Sequence, residues 1–190
     1  MALNDTATLV IGAGNYFTAP TPGEAEPADL SNVTTPWVNM GHTSIEDILS
    51  FESEGGEVTA LGTLQNPNLR TTRSNSTDTL KITLQQFDES SLKLFFGKNS
   101  GQGEFVNGSD GPKWLQVKSK PQATECAFLA VYVDGENIFA IHIPRCEIIK
   151  GDNLEFGDTE SLAGLPLNIT PLQYGTNDWT YQVTPLGTVA

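Results

Sequence analysis

Basic residues are scarce in this sequence and are absent from both ends of the chain. Residues 1–69 contain nine acids and no Lys or Arg, and residues 151–190 contain five acids and no base. All ten basic residues lie between positions 70 and 150, and the net charge is −13. Proteins that bind nucleic acid gain most of their affinity from cationic side chains, so this distribution argues against nucleic-acid binding. Such acidity is typical of a soluble protein or of a surface that repels DNA.

Long hydrophobic runs and cysteines are also few. No apolar run approaches the ~18 residues that a membrane-spanning helix needs, and no basic and hydrophobic leader is present. We therefore expect neither a membrane span nor a signal peptide. Cys126 and Cys146 are the only cysteines. We expect them to be buried free thiols of a protein made in the cytoplasm, although their positions also allow a disulfide.

Catalytic and metal-binding motifs are missing from the sequence. The two histidines are 100 positions apart, and there is no nucleophile elbow, phosphate-binding loop or calcium loop. Acidic pairs such as Glu46-Asp47 are expected by chance in a chain with 23 acids. His142 lies in an apolar strand, where we expect a hydrogen-bonded core histidine rather than a general base. The sequence thus predicts no enzyme, no cofactor and no metal site.

The clearest structural signal that is present is a hairpin between Glu125 and Ile149. Two runs of β-branched and aromatic residues flank turn-forming residues from Asp134 to Asn137. If Val133 faces Ile138, the residues divide between two faces: Phe128, Ala130, Tyr132, Phe139, Ile141 and Ile143 on one, and Leu129, Val131, Val133, Ile138, Ala140 and His142 on the other. Both faces are mainly apolar, which predicts that the hairpin lies between two layers. A slip of one residue would exchange the faces, so the turn alone leaves the register open.

The remaining pattern predicts roughly nine strands in all and one short helix. We expect a first strand at Thr6–Ile11 and a second hairpin over Ile48–Leu61 that turns at Gly55-Gly56. The helix follows Asp88, which is suited to cap its N-terminus, and ends at Gly97. These elements indicate a mainly β fold, a sandwich or barrel of antiparallel sheets with one short flanking α-helix.

One extended segment, from about residue 13 to residue 36, looks different. Residues 18–36 are rich in Pro, Ala, Glu and Thr and offer few side chains to bury. We expect an N-terminal arm that is disordered in the monomer and becomes ordered on a neighbouring subunit. Pro20 and Pro22 are candidate contacts in that interface, and a simple flexible linker is the alternative.

Several phrases of the sequence carry a family resemblance. They are TLVIGAGNYFTAP, TPWVNMGHTS, LGTLQNPNLRTTRS, LKITLQQFDESSLKLFFG, ECAFLAVYVDGENIFAIHIPRCEIIKGDNLEF and the closing LNITPLQY and WTYQV. In this order, over nearly the whole chain, they resemble the major tail (tail tube) proteins of long-tailed bacteriophages. The resemblance implies one tail tube domain over residues 1–190, without the C-terminal immunoglobulin-like domain that some relatives carry.

The resemblance also implies a function in the virion. Six copies would close into a ring, and rings would stack into a hollow tube that conducts DNA during genome ejection without binding it specifically. The expected partners are other copies of the chain and the tail terminator, tape measure and distal tail proteins. Synthesis in the host cytoplasm would be followed by incorporation into the tail.

Two sets of charged residues are candidates for roles in such a tube. Glu52 and Glu54 share one face of a predicted strand, and with Glu57 they are candidates to line an acidic lumen. Arg70 and Arg73 are the first cations after 69 residues without one, and they are candidates for pairing with acids of a neighbouring copy.

Two alternatives fit the same composition. One is a carbohydrate-binding or adhesin β-sandwich, in which Trp37, Trp114 and Trp179 would form a sugar-stacking platform. We expect core positions for at least two of these tryptophans, and the missing signal peptide also argues against an adhesin. The other alternative is the tube protein of a related secretion system, which would share the fold and carry no DNA.

Overall fold

The fold is built from antiparallel strands and one α-helix. The computed structural model of the protein describes residues 3, 7–97, 105–107, 111–120, 122–154, 156 and 159–188. The strands are β1 (Ala13–Ala19), β2 (Val38–Asn39), β3 (Ser50–Gly55), β4 (Val58–Leu61), β5 (Arg70–Arg73), β6 (Ser76–Leu84), β7 (Phe105–Asn107), β8 (Lys113–Leu115), β9 (Thr124–Asp134), β10 (Asn137–Lys150), β11 (Leu165–Pro171), β12 (Gln182–Val183) and β13 (Gly187–Thr188). The helix, α1 (Glu89–Phe96), follows β6 in the chain. The prediction of a mainly β, antiparallel fold with one helix is confirmed.

The hairpin β9–β10 lies at the centre of the main sheet. Its strand order is β2-β1-β9-β10-β11-β6-β3, and β12 and β13 also pair with β10. Val133 pairs with Ile138 and Phe128 pairs with Ile143, so the structure selects one of the registers that the sequence left open. Both faces of the hairpin are buried, so its predicted place between two layers is also confirmed. A bulge at residues 144–145 then shifts the alternation of side chains by one residue.

The main sheet curls into a barrel because residues 38–44 connect β1 to β6. Val38 pairs with β1, and Thr43 forms a bridge to Leu84 of β6. The backbone N–H of Met40 donates to Tyr16 (2.8 Å), and that of Ser44 donates to Thr83 (2.9 Å). The inward-facing side chains of the strands around the barrel therefore pack into a single core.

The barrel interior contains the larger of two apolar clusters. Its buried residues come from five strands, α1 and Met40: Tyr16, Met40, Leu80, Ile82, Leu84, Leu94, Phe95, Cys126, Phe128, Ala130, Tyr132, Ile141, Ile143, Cys146, Ile148, Leu165, Leu167 and Ile169. Cys126 and Cys146 are free thiols with their Sγ atoms 3.8 Å apart, as predicted.

The helix α1 begins and ends where the sequence predicts. The Asp88 carboxylate accepts the backbone N–H of Ser91 (2.8 Å), and Gly97 follows the last turn with a φ of 95°. Partial burial raises the pKa of Asp88, but hydrogen bonds from Ser91, Ser90 and Gln86 outweigh it and lower the pKa to about 2. Leu94 and Phe95 pack into the barrel interior.

The barrel exterior has a covered part and an open part. Residues 20–37, here called the covering segment, lie over the hairpin and bury a second cluster with Trp37, Leu129 and Val131 among its members. Beyond the bulge the outward side chains of β3, β6, β9, β10 and β11 are half-buried or exposed, and all but Ile149 and Pro166 are polar. We call this open part the polar sheet face.

The N-terminal part of the chain differs from the sequence prediction. Residues 7–11 form no strand, and the first strand is β1, at residues 13–19. The predicted arm therefore starts too early, because its first seven residues pair with β9 in the main sheet. The remainder is ordered in the single chain and docks on its own sheet, so the prediction of a disordered monomeric arm is wrong. Three apolar side chains, Leu30, Val33 and Trp37, pack against the sheet and contribute to holding it.

The predicted hairpin over residues 48–61 is also wrong. β3 pairs with β6 and β4 pairs with β5, both with the same register, so residues 50–81 form one long hairpin. The part from residue 56 to residue 75 extends away from the barrel, and we call it the distal hairpin. Gly55 and Gly56 have φ values of 90° and 68°, but they interrupt the strand rather than reverse it.

Candidate functional site

The polar sheet face is the first surface with a recognisable chemical character. Leu80 and Ile82 point into the barrel, so Lys81 points outward, and the same alternation places Asn168 and Glu147 on the outside of β11 and β10. On β3 the carboxylates of Glu52 and Glu54 lie on this outer face, as the sequence predicts for one face of a strand.

Acids and bases on this face are arranged in pairs. The Nζ atom of Lys81 is 2.8 Å from a carboxylate oxygen of Glu52. An Nη atom of Arg145 is 2.8 Å from a carboxylate oxygen of Glu125. Hydrogen bonding to these carboxylates raises the pKa of Lys81 and of Arg145, so both side chains remain cationic. Glu147 lies directly opposite Glu125, and its charge also acts on Arg145.

The bulge in β10 explains why Arg145 reaches Glu125. Two carboxylates directly opposite each other on neighbouring strands repel. The extra residue of the bulge lets a guanidinium lie beside both acids of this pair. The sequence pattern did not single out Glu125, Arg145 and Glu147, although Glu125 alternates with apolar neighbours. The bulge hid the other two, because regular alternation would point Cys146 outward instead.

The distal hairpin is the second surface, and it exposes apolar side chains. Leu64 is 96% exposed, and Val58, Leu61 and Leu69 are each more than half exposed. None of them belongs to either apolar cluster. Apolar side chains exposed together on a projecting element make the distal hairpin a candidate interaction surface.

Arg70 and Arg73 lie on β5 of the distal hairpin and are exposed. Arg70 is directly opposite Leu61 and Arg73 is directly opposite Val58. Within the described part of the chain, neither guanidinium is within ion-pair distance of a carboxylate. Glu57 is at the base of this hairpin, beyond Gly55-Gly56, and so does not share the strand face of Glu52 and Glu54.

The covering segment is held in place by the buried His142. Because a carbonyl only accepts, Nε2 of His142 donates to the carbonyl of Glu24 (3.0 Å), and Nδ1 accepts from the amide of Gln182 (3.0 Å). Trp37 packs edge-on against the imidazole, 5.7 Å between ring centroids, and donates from Nε1 to the carbonyl of Ala25. The prediction of a hydrogen-bonded core histidine is confirmed.

Acidification is expected to loosen this contact. Burial lowers the pKa of His142 below its ordinary value of 6.5, outweighing the Glu24 hydrogen bond and the Glu26 carboxylate, which raise it. The unfolded chain therefore binds the proton more readily than the folded chain. The stabilisation is present above pH 6.5 and is lost as the pH falls through the folded-state pKa.

Urea unfolding at a series of pH values between about 7.5 and 5 measures this effect. We expect the free energy of unfolding of the wild-type protein to decrease across this range. H142Q should lose most of the pH dependence, and H42Q, at the other histidine, should keep it. An equal pH dependence in H142Q and wild type would show that His142 is not responsible.

The remaining predicted residues are separate from these surfaces. Pro20 is exposed and Pro22 is half-buried, both at the start of the covering segment. Trp37 is 6% exposed, whereas Trp114 and Trp179 are 64% and 39% exposed, so the prediction of two core tryptophans is wrong. Trp37 is not available for a sugar platform.

The described residues contain neither a helix suited to cross a membrane nor a cluster suited to hold a metal ion. No helix there is long and apolar enough to cross a membrane. No group of three or more His, Cys, Asp or Glu side chains in that part of the chain is arranged to hold a metal ion.

Comparison with known proteins agrees with the resemblance seen in the sequence. Residues 1–184 match a family described as phage tail tube protein. The major tail protein Gp23 of Mycobacterium phage D29 is 33% identical over 186 residues, which covers 92% of this chain and 89% of that protein. The major tail protein Gp23 of Mycobacterium phage L5 matches with the same identity and coverage. Major tail proteins are structural components of the virion tail and not enzymes, and this chain belongs to the phage tail tube protein family.

Proposed function

We propose that this protein forms the tail tube of a long-tailed phage (a siphovirus) as stacked hexameric rings around an acidic lumen that conducts DNA during genome ejection. Each copy contributes a single tail tube domain. The observation that carries the proposal is the distal hairpin, because it exposes apolar side chains to water in the single chain. Its apolar residues, and two arginines that have no ion-pair partner among the described residues, fit a partner surface that is apolar and acidic.

A second copy of the same chain offers such a partner. The chain carries a net charge of −13, and its first 69 residues contain nine acids and no Lys or Arg. Copies repeated around a ring and along a tube bring distal hairpins next to acidic surfaces of their neighbours. Burial of residues such as Leu61 and Leu64 in the contact would then supply the larger part of the free energy of association.

Sheet edges offer a further means of ring closure. β3 is the last strand of the main sheet, and within the described residues its outer edge has no strand partner. Exposed edges of this kind pair readily with another strand, and closure of a ring satisfies them. We propose that the edge of β3 pairs with a strand of a neighbouring subunit. Glu52 and Glu54 would then lie next to the boundary between two subunits.

The polar sheet face is the surface best suited to line the lumen. It is a broad outer face of the barrel that the covering segment leaves open, and its acids outnumber its bases. Glu52 and Glu54 remain candidates for lumen-facing residues. Glu57 is a weaker candidate, because it lies at the base of the distal hairpin. DNA would pass without specific binding, since a net negative wall repels phosphates.

Other tail proteins would meet the ends of the tube. We propose that the tail terminator and distal tail proteins contact the terminal rings and that the tape measure protein occupies the lumen before ejection. Because Pro20 and Pro22 lie at the exposed start of the covering segment, they are candidates for contacts between neighbouring copies.

Reversal of both arginines tests the proposed assembly. R70E/R73E should fold normally, because both side chains are exposed, and should form few or no tubes. A single exposed ion pair contributes only about 0–1 kcal/mol, but the loss is repeated at every contact of the tube. Sedimentation and negative-stain electron microscopy measure tube formation, and circular dichroism measures folding.

K118E/K120E is the matched control, since it reverses two exposed cations outside the distal hairpin. We expect this variant to form tubes at a level close to that of the wild type. Normal tubes from R70E/R73E would exclude the arginines from the interface. Equal loss in both variants would show that net charge, rather than position, governs assembly.

A further inference from the structure

Both cations that project from the strands of the polar sheet face are held by a carboxylate. Lys81 is 2.8 Å from Glu52, and Arg145 is 2.8 Å from Glu125. These ion pairs come from opposite sides of the face, one on β3 and β6 and the other on β9 and β10. The same arrangement has thus been built twice from different strands.

We infer that Glu52 and Glu125 mask Lys81 and Arg145, so that a lumen wall containing cations still offers no phosphate-binding site to passing DNA. This inference rests on the proposed function, because it assumes that the polar sheet face lines the lumen. It assigns Glu52 and Glu125 a role that Glu54 and Glu147 do not have, although all four are acids of the same face.

Electrostatics explains why masking matters more than net charge. A cation that contacts a phosphate releases a condensed counterion, and this contribution adds with each contact. An unmasked cation on each subunit would form rings of such contacts at a regular spacing along the tube. Distant acids lower this attraction only weakly in salt, because the Debye length is about 10 Å at 0.1 M. A carboxylate in direct contact with the cation offsets its attraction for a phosphate much more strongly.

A contribution to the stability of the fold explains these two ion pairs less well than masking does. The four side chains are between 37% and 51% exposed, and ion pairs this exposed contribute little to the stability of a fold. Hydrogen bonding to the carboxylates raises the pKa of both cations. Both side chains are therefore cationic at neutral pH, and the neighbouring carboxylates are what offsets their charges.

The test compares two double variants that remove the same charge from the same face. E52Q/E125Q removes the carboxylates in ion-pair contact with the two cations. E54Q/E147Q removes two acids that act on the same cations only over a longer distance, without an ion pair. Tubes assembled from each variant in low salt with short duplex DNA are treated with nuclease, and the protected DNA is measured. We expect E52Q/E125Q to protect several-fold more DNA than E54Q/E147Q, and the excess should disappear in high salt.

A third variant restores the wild-type net charge. E52Q/E125Q/K81Q/R145Q loses two acids and two cations, and we expect it to protect no more DNA than the wild type. The single variants E52Q and E125Q each unmask one cation, and they provide the same comparison if the double variant does not form tubes.

The outcomes separate the inference from the proposed function. Equal protection by E52Q/E125Q and E54Q/E147Q would overturn masking and leave the lumen-facing position intact, because net charge alone would then decide. Normal tubes of both variants that protect no DNA would overturn the placement of this face in the lumen, and the inference with it. DNA that binds but remains open to nuclease would place the face on the outside of the tube.

Discussion

A protein whose distal hairpin is cut back to its base is expected to fold and to form no tubes. The structure provides a place for the cut, because the backbone N–H of Ser74 donates to the carbonyl of Glu57 (3.0 Å). Residues 58–73 can therefore be replaced by Asn-Gly, a dipeptide that favours the two-residue turn of a hairpin. None of the removed residues belongs to the barrel interior or to the cluster under the covering segment.

The expected loss of assembly is large because the removed residues include the exposed leucines and both unpaired arginines. The thermal midpoint should change by only a few degrees, since surface residues contribute little to stability. Size-exclusion chromatography should show a monomer under conditions in which the wild-type protein forms tubes. A mixture of this variant with the wild-type protein should also give shorter tubes. The variant keeps its other surfaces, so it binds a growing end and blocks further addition there.

Two full-length variants refine this experiment. L61S/L64S/L69S removes apolar side chains from the distal hairpin, and we expect it to assemble poorly. T71S/T72S changes exposed residues of the same hairpin conservatively, and we expect it to assemble normally. Tubes of normal length from the shortened protein would show that the distal hairpin is not part of the interface.

Replacement of Trp37 by Ala is expected to have the largest effect on stability. Its side chain is 6% exposed, lies over the central hairpin and packs against His142. Truncation of a buried Trp leaves a cavity and costs about 3–5 kcal/mol of unfolding free energy. Much of the covering segment would lose its attachment at the same time, because the hydrogen bond from Trp37 to Ala25 is lost.

W179A is the control for this prediction, since Trp179 is 39% exposed. Urea unfolding should show a loss below about 1 kcal/mol for W179A, against the larger loss for W37A. Limited proteolysis should cut W37A faster within residues 20–36 than it cuts the wild type. Equal stability of W37A and wild type would mean that the covering segment is not held by this side chain.

The parts of the fold that the sequence predicted correctly depend on local signals. The turn at Gly135 and the two apolar runs beside it predicted that β9 and β10 form a hairpin with two apolar faces, while the structure was needed to decide its register. The N-cap Asp88 and the stop at Gly97 similarly determined both ends of α1. Each signal lies within a few residues of the structure that it determines.

The errors arose where distant contacts decide the structure. Gly55-Gly56 is typical of a turn, but the long hairpin is stabilised by the pairing of β3 with β6, and β6 itself pairs with β11. The covering segment looked disordered because it has few apolar residues, yet the apolar outer face of β9 and β10 binds the few that it has. Neither the partner strand nor the partner face could be identified from local composition.

The candidate site was predicted in part for the same reason. Glu52 and Glu54 were assigned to one strand face from simple alternation, and the structure agrees with that assignment. The exposure of the distal hairpin could not be predicted, because it depends on where the barrel ends. The ion pair of Glu125 with Arg145 could not be predicted either, because a bulge brings Arg145 to Glu125.

Electron microscopy of the purified wild-type protein at increasing concentration is the most direct test of tube assembly. We expect hollow tubes whose end-on views have sixfold symmetry, and a reconstruction that places the distal hairpin of one copy against another copy. The polar sheet face should line the lumen in that reconstruction. A protein that stays monomeric at every concentration, or tubes whose lumen is lined by the covering segment instead, would contradict the proposed function.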